Sequence, residues 1–292
     1  MMSSHTDTLA GVGGALHYQD WRPDGVVRAV LVIVHGAAEH GGRYAPLAEQ
    51  AVARGMAVAT VDLPGHGQSD GARCSVAHMN VFVDAVQRAD ATIRQRVKDA
   101  MVDSASATQP PYFLLGHSMG GLVAALHLEQ SESMYAGAVF SGPALALEPP
   151  PPRLQVAIVN RLAKWLPTLG VVQLDANLVS RDERVVKRYR EDPLVYGGKL
   201  TASLVAAMFA GMARAQASLP MRRLPILALH GGADGLVPPA ASELLVARAG
   251  SDDMTRRVYP GLYHEVFNEP EGATIIDEML DWVEARASGS AT

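Results

Sequence analysis

The sequence predicts a doubly wound α/β fold, with parallel strands alternating with helices around one sheet. Three observations predict it. Residues 26–35 (VVRAVLVIVH) are mostly β-branched and apolar, with glycine following at once, as in a strand buried on both faces. Residues 78–98 place Phe82, Val86, Ala89, Ile93 and Val97 at spacings of four, three, four and four, which is one helical face. Similar strand-like and helix-like segments then alternate along most of the chain.

In order, residues 44–54 read as a helix. Residues 56–62 (MAVATVD) read as a strand stopped by Leu63-Pro64-Gly65. After the helix at 78–98, residues 102–111 are polar and end in proline, so they read as a loop. Residues 112–116 form a third strand, 121–130 a helix and 136–141 a fourth strand. Strands at 225–230 and 255–259 follow much later, with helices near 239–249 and 273–286. The last helix lines up Ile275, Ile276, Met279, Leu280 and Val283. Residues 142–219 break the rhythm. They open near the prolines 149–152 and carry helical patterns (Leu154, Ile158, Leu162, Trp165; then Leu204, Met208, Met212) but no convincing strand. This segment reads as a helical insertion over the sheet, so the core comprises 1–141 and 220–292. Its apolar residues, Val156, Leu166, Val205 and Phe209 among them, either pack inward or leave a face for a membrane or micelle.

Composition narrows the function. A chain of 292 residues, 48% hydrophobic, builds one sizeable core. A net charge of −5 leaves no basic footprint for nucleic acid. The single cysteine, Cys74, excludes an intrachain disulfide and a cysteine metal site, and reads as a small buried residue. The N-terminus lacks the basic start and apolar run of a secretory signal, and the charge-free stretch at 133–147 is too short to span a bilayer. A cytoplasmic location is expected, with peripheral membrane contact left open; the oligomeric state is not legible.

The chemistry centres on Gly116-His117-Ser118-Met119-Gly120-Gly121, which follows a strand and opens a helix. In that context G-x-S-x-G is a nucleophile elbow, and it predicts the α/β-hydrolase fold with Ser118 as nucleophile. An ordinary strand–helix turn containing a serine is the competing reading. A serine hydroxyl needs a base, and the base an orienting acid, in the chain order Ser, acid, His. His264 lies in Pro260-Gly261-Leu262-Tyr263-His264-Glu265, between the last strand and the last helix, and is the expected base. His230 ends a strand, where packing is the plainer role. Asp234, in the glycine-rich loop after that strand, is the expected acid, although a turn-forming aspartate would look the same. Asp252 and Asp253 lie at the wrong end of a strand, and Glu265 and Glu269 are too near His264 in sequence to orient it. The amides of Met119 and Ala37 are the expected oxyanion donors.

Together these residues resemble the monoacylglycerol lipase and lysophospholipase branch of the α/β-hydrolases. The stretch His35-Gly36-Ala37-Ala38-Glu39-His40-Gly41-Gly42-Arg43-Tyr44 is similar to that branch's oxyanion loop, and Asp62-Leu63-Pro64-Gly65-His66-Gly67-Gln68-Ser69 to its next strand end. Asp192-Pro193-Leu194-Val195 resembles a cap signature, and Gly232-Ala233-Asp234 and Tyr263-His264 its acid and base loops. The resemblance runs from about residue 15 to 285. It implies a mostly parallel eight-stranded sheet, a helical cap over 142–219, hydrolysis of single-chain lipid esters and no cofactor. It also implies a polar pocket for the glycerol end, with Arg43, His117 and Tyr189 at matching positions. Val185 stands where the branch has an acidic partner four residues before Tyr189. Pairing of Arg43 with Glu39, packing of His117 in the elbow and a surface role for Tyr189 compete with that assignment.

The expected activity is cleavage of monoacylglycerol through an acyl-enzyme, falling below about pH 6 to 7 as the base protonates. A lysophospholipase or short-chain carboxylesterase is the nearest alternative. A non-catalytic lipid-binding homologue is a different class. A metal enzyme is not expected, because no histidine–carboxylate spacing of the usual kinds appears.

Overall fold

The computed structural model describes residues 2–101 and 109–289; the loop expected at 102–111 lies mostly outside them. Two strands that the sequence reading did not assign open the chain. They are β1 (Met2–Gly11) and β2 (Gly14–Pro23), an antiparallel hairpin closed by a two-residue turn. The predicted strands follow as β3 (Ala29–Val34), β4 (Met56–Val61), β5 (Tyr112–His117) and β6 (Gly137–Ser141). A long excursion then carries β7 (Gly170–Val172) and β8 (Leu200–Thr201), before β9 (Ile226–Gly231) and β10 (Met254–Tyr259) complete the set. The main sheet has eight strands in the order β1-β2-β4-β3-β5-β6-β9-β10. Pairing is parallel from β4 to β10 and antiparallel only at the hairpin end.

Why these runs form central strands is visible in their two-residue period. Val30, Val32 and Val34 of β3 enter one core, and Ala29, Leu31 and Ile33 the other. Helices α1 (Ala45–Ala53) and α8 (Gly272–Gly289) cover the second core, and α8 buries all five residues that its periodicity singled out. Helices α2 (Asn80–Met101) and α3 (Met119–Ser131) cover the first. The predicted face of α2, from Phe82 to Val97, is fully buried. Truncating a residue such as Phe113, buried between β5 neighbours and Trp282, costs about 3–5 kcal/mol.

Between β6 and β9 lie α4 (Arg153–Trp165), α5 (Glu183–Glu191) and α6 (Ala202–Ser218); α7 (Ala240–Arg248) follows β9. The expectation of no strand in this segment is corrected. Strands β7 and β8 pair antiparallel, but with three and two residues they are too short to show alternation in sequence. Helices α4 and α6 also differ. Helix α6 buries Leu204, Val205 and Met212, whereas α4 buries only Val159 and leaves Leu154 and Trp165 each 72% exposed. Among the described residues, no helix is long and apolar enough to cross a membrane. Because β3, β5, β6, β9 and β10 run parallel, the loops that leave them gather at one edge of the sheet, under the inserted segment.

Candidate active site

Ser118 stands between β5 and α3 with φ 53° and ψ −121°, a conformation a residue with a side chain adopts only under constraint. Its amide donates to Ser141 O at 2.9 Å, and its carbonyl accepts from Gly121 N and Ala144 N at 2.9 Å each. The glycine after Met119 is required by close approach: a Cβ on Gly120 would run into the carbonyls of Val34 and His35. Met119 opens α3, so its amide belongs to the first helical turn, where no intrahelical carbonyl is available. Its side chain is buried in the core.

The loop after β3 comes within van der Waals distance of this turn, since a Cβ on Gly36 would lie 3.2 Å from Ser118 Cβ. Glu39 shapes the loop from within. Its Oε1 accepts from Gly36 N at 2.6 Å and from the Tyr44 hydroxyl at 3.0 Å. Burial would raise the Glu39 pKa, but Arg43 and the surrounding donors overcome it and hold the carboxyl down to about 2. His35 donates through Nδ1 to Gly36 O at 2.8 Å and accepts Leu63 N at Nε2, 2.9 Å. Burial lowers its pKa, so it remains a neutral brace.

Asp234 follows β9 and His264 follows β10. The imidazole donates through Nδ1 to Asp234 Oδ2 at 2.6 Å. Asp234 Oδ1 accepts from Leu236 N and Val237 N at 2.9 Å each. Burial alone would raise this carboxyl; hydrogen bonds from His230 and His264 reverse that and hold it well below the carboxylate range. Gly142, at φ +49°, gives His264 room, because a Cβ there would sit 3.1 Å from Nδ1. Ser118 and His264 line the same cavity without a direct hydrogen bond between them; such contacts commonly tighten only with substrate bound.

That cavity has a volume of about 590 Å³, within the usual range for small-molecule sites. Val205, Met208, Phe209 and Met212 of α6 supply an apolar wall. Ala37, Glu39, His117, Tyr189 and Glu265 line it as well. Arg43 does not. Its guanidinium is spent on carboxylates: Nη1 donates to Glu39 Oε2 at 2.6 Å and Glu265 Oε1 at 2.7 Å, and Nη2 to Glu265 Oε2 at 2.7 Å. Tyr189 lies beneath it, with the ring centroid 4.7 Å from Cζ, so this tyrosine is no free surface residue. The His117 ring is 4.7 Å from that of His264, and its Nδ1 lies 3.2 Å from Ser141 Oγ. Burial, then the neighbouring His264, lower the His117 pKa to about 4.

The structure therefore brings Ser118, Asp234, His264 and Ala37 to one edge of the sheet, with His117 and Tyr189 beside them and Arg43 behind. Sequence reasoning missed Glu265 as the second anchor of Arg43. It also missed His230, whose Nε2 lies 3.2 Å from Asp234 Oδ2. Neither had a local signal, because both partners come from distant segments or from a strand end that looked like ordinary core.

Residues 25–271 match the family described as serine aminopeptidase, S33. The chain is 38% identical over 283 residues to a monoacylglycerol lipase of Mycolicibacterium smegmatis, covering 94% of this chain and 95% of that protein. It is 32% identical over 282 residues to the monoglyceride lipase of Mus musculus, covering 95% and 89%. The crystal structure of Paleococcus ferrophilus monoacylglycerol lipase superposes with a TM-score of 0.79 at 32% identity, covering 93% of this chain and 99% of that one.

Proposed function

The chain belongs to the serine aminopeptidase S33 family and, within the α/β-hydrolases, to the monoacylglycerol lipase branch; from that premise we propose that it hydrolyses monoacylglycerol to fatty acid and glycerol. The observation that carries the reading is one cavity whose apolar wall from α6 faces a strained serine and a histidine–aspartate pair. The apolar wall suits an acyl chain, and Glu39, His117 and Glu265 supply polar groups at the reacting end.

In the proposed mechanism His264 accepts the Ser118 proton as the hydroxyl attacks the ester carbonyl. Asp234 holds the imidazole with Nδ1 protonated, leaving Nε2 to act as base. The amides of Ala37 and Met119 take the oxyanion, where each donor is worth on the order of a hundredfold or more in rate. The imidazolium protonates the departing glycerol. Water, activated by the same imidazole, then releases the fatty acid.

The outward apolar residues of α4 support a peripheral contact with lipid. Leu154, Ile158 and Trp165 are exposed beside Arg153, Arg161 and Lys164, a composition suited to a cytoplasmic membrane surface. The test of function is a panel of monoacylglycerol, lysophosphatidylcholine and nitrophenyl esters of rising chain length, run on wild type and Ser118→Ala. Monoacylglycerol should give the highest kcat/KM, and a fluorophosphonate probe should label wild type alone. Preference for lysophospholipid or for short esters would move the assignment to those activities, and an unlabelled, inactive wild type would make the chain a binding protein.

A further inference from the structure

His230, the penultimate residue of β9, is fully buried and plays no part in the mechanism above. Its Nε2 lies 3.0 Å from Val237 O and 3.2 Å from Asp234 Oδ2. Both neighbours are acceptors, so Nε2 carries the proton. Its Nδ1 is buried without a hydrogen-bond partner, so a second proton there would be an unpaired buried charge. The residue is thus a neutral donor whose N–H bonds Val237 O and lies against the carboxylate that orients His264.

A carboxylate offers about four lone-pair directions. On Asp234 the amides of Leu236 and Val237 take Oδ1, and the His230 Nε2–H, bonded to Val237 O, covers one side of Oδ2 from 3.2 Å. What is left is the direction in which His264 Nδ1 lies, at 2.6 Å. We propose that His230 is a positioning residue: it blocks rotation of the Asp234 carboxylate and draws off part of its charge, so that a single oxygen meets His264 in a single geometry. The inference rests on the reading of Ser118, His264 and Asp234 as the reacting set.

Removing the donor has a directional consequence. Asp234 becomes a stronger acceptor, stabilises the imidazolium of His264 more, and moves the acid limb of kcat/KM to higher pH. The other groups facing His264 are His117 from the end of β5, Glu265 on its own loop, and Glu39 with Arg43 behind them. All stay in place when only residue 230 changes.

The experiment compares wild type, His230→Leu, His230→Gln and Ser118→Ala on a soluble nitrophenyl ester from about pH 5 to about pH 9. His230→Leu should lose up to about a hundredfold in kcat with little change in KM. Its acid limb should rise by about half a unit to one unit. His230→Gln, which places an amide donor at similar reach, should keep the wild-type limb. A folded His230→Leu with an unshifted limb, or a His230→Gln shifted as far as His230→Leu, overturns the proposal and leaves His230 a packing residue. Should His230→Leu fail to fold, nitrogen NMR of the wild type decides: a neutral ring protonated at Nε2 supports the proposal, and an Nδ1–H or charged ring overturns it. If Ser118→Ala retains activity, the underlying reading fails instead, and does so independently of the His230 result.

Discussion

His40 Nε2 lies 3.0 Å from Asp192 Oδ2, joining the loop after β3 to the end of α5 across 152 residues of sequence. Close by, Tyr196 N donates to Ala38 O at 2.8 Å. On the other side of the site, His264 N and Glu265 N donate to Leu178 O and Val179 O at 3.3 and 2.8 Å. The middle of the segment between β6 and β9 is therefore fastened to the loop that carries Ala37 and to the loop that carries His264. Asp192→Ala should cost about 1 kcal/mol of stability and lower kcat/KM several-fold, because the oxyanion loop loses a tether. Asp192→Asn should be milder, since it keeps an acceptor for Leu194 N, which Asp192 Oδ1 now serves at 2.8 Å. Denaturant titration and steady-state kinetics on both variants check this; equal kinetics in wild type and Asp192→Ala would contradict it.

Ser118→Ala should reduce turnover by about four orders of magnitude or more, as should His264→Ala. Stability should move differently. Because Ser118 holds φ 53°, glycine relieves strain that alanine retains. Ser118→Gly should therefore unfold at higher temperature than Ser118→Ala, by the equivalent of about 1 kcal/mol, in calorimetry.

Arg43 neutralises two buried carboxylates, Glu39 and Glu265. Arg43→Met should cost about 3–5 kcal/mol, because both are left unpaired out of water. Adding Glu265→Gln should recover part of that loss in urea titrations, as one orphaned charge is gone. A fully additive double variant would mean that the three groups do not act as a unit.

Helix α4 presents Leu154, Ile158 and Trp165 to solvent. Changing all three to serine should leave stability within about 0.5 kcal/mol per site. Binding to anionic vesicles and turnover of micellar monoacylglycerol should fall at least several-fold, while turnover of a soluble short ester stays the same. Unchanged vesicle binding in a sedimentation assay would remove the lipid-contact role from α4.

Stability should decline as pH falls from about 6.5 to about 4. Burial lowers His66 to about 3, and His117 and His127 to about 4, so the fold holds them neutral while the unfolded chain protonates them. Unfolded molecules bind more protons in that window, so acid favours unfolding there. The slope approaches about 1.4 kcal/mol per pH unit for each histidine and is absent above pH 7. Unfolding free energies at a few pH values test the sign; a flat profile from pH 7 to pH 4 would refute it.

The central strands, α2, α8 and the elbow were legible in the sequence because local rules determine them. A strand buried on both faces must be continuously apolar, a helix packed on a sheet must repeat its apolar residues near every 3.6, and the turn around Ser118 admits only glycine at the closest approach, Gly120. The N-terminal hairpin was not legible, because β1 is a largely exposed edge strand and β2, between β1 and β4, interleaves polar residues such as His17, Gln19 and Asp20 with its apolar ones. Nor were β7 and β8, which are too short to carry a period. Only the tertiary structure decided that α6 lines the cavity while α4 turns Leu154, Ile158 and Trp165 outward, since both helices carry apolar residues at helical spacing and the distinction depends on what lies opposite. Likewise, chain order nominated Asp234 and His264, but it took the parallel sheet to bring the ends of β9 and β10 together, to put Glu265 rather than substrate on Arg43, and to set His230 against the acid. The contacts of Arg43 with Glu265 and of His264 with Asp234 join residues from separate segments, His230 meets Asp234 only where the chain turns after β9, and all their energies depend on burial and distance that no local pattern encodes.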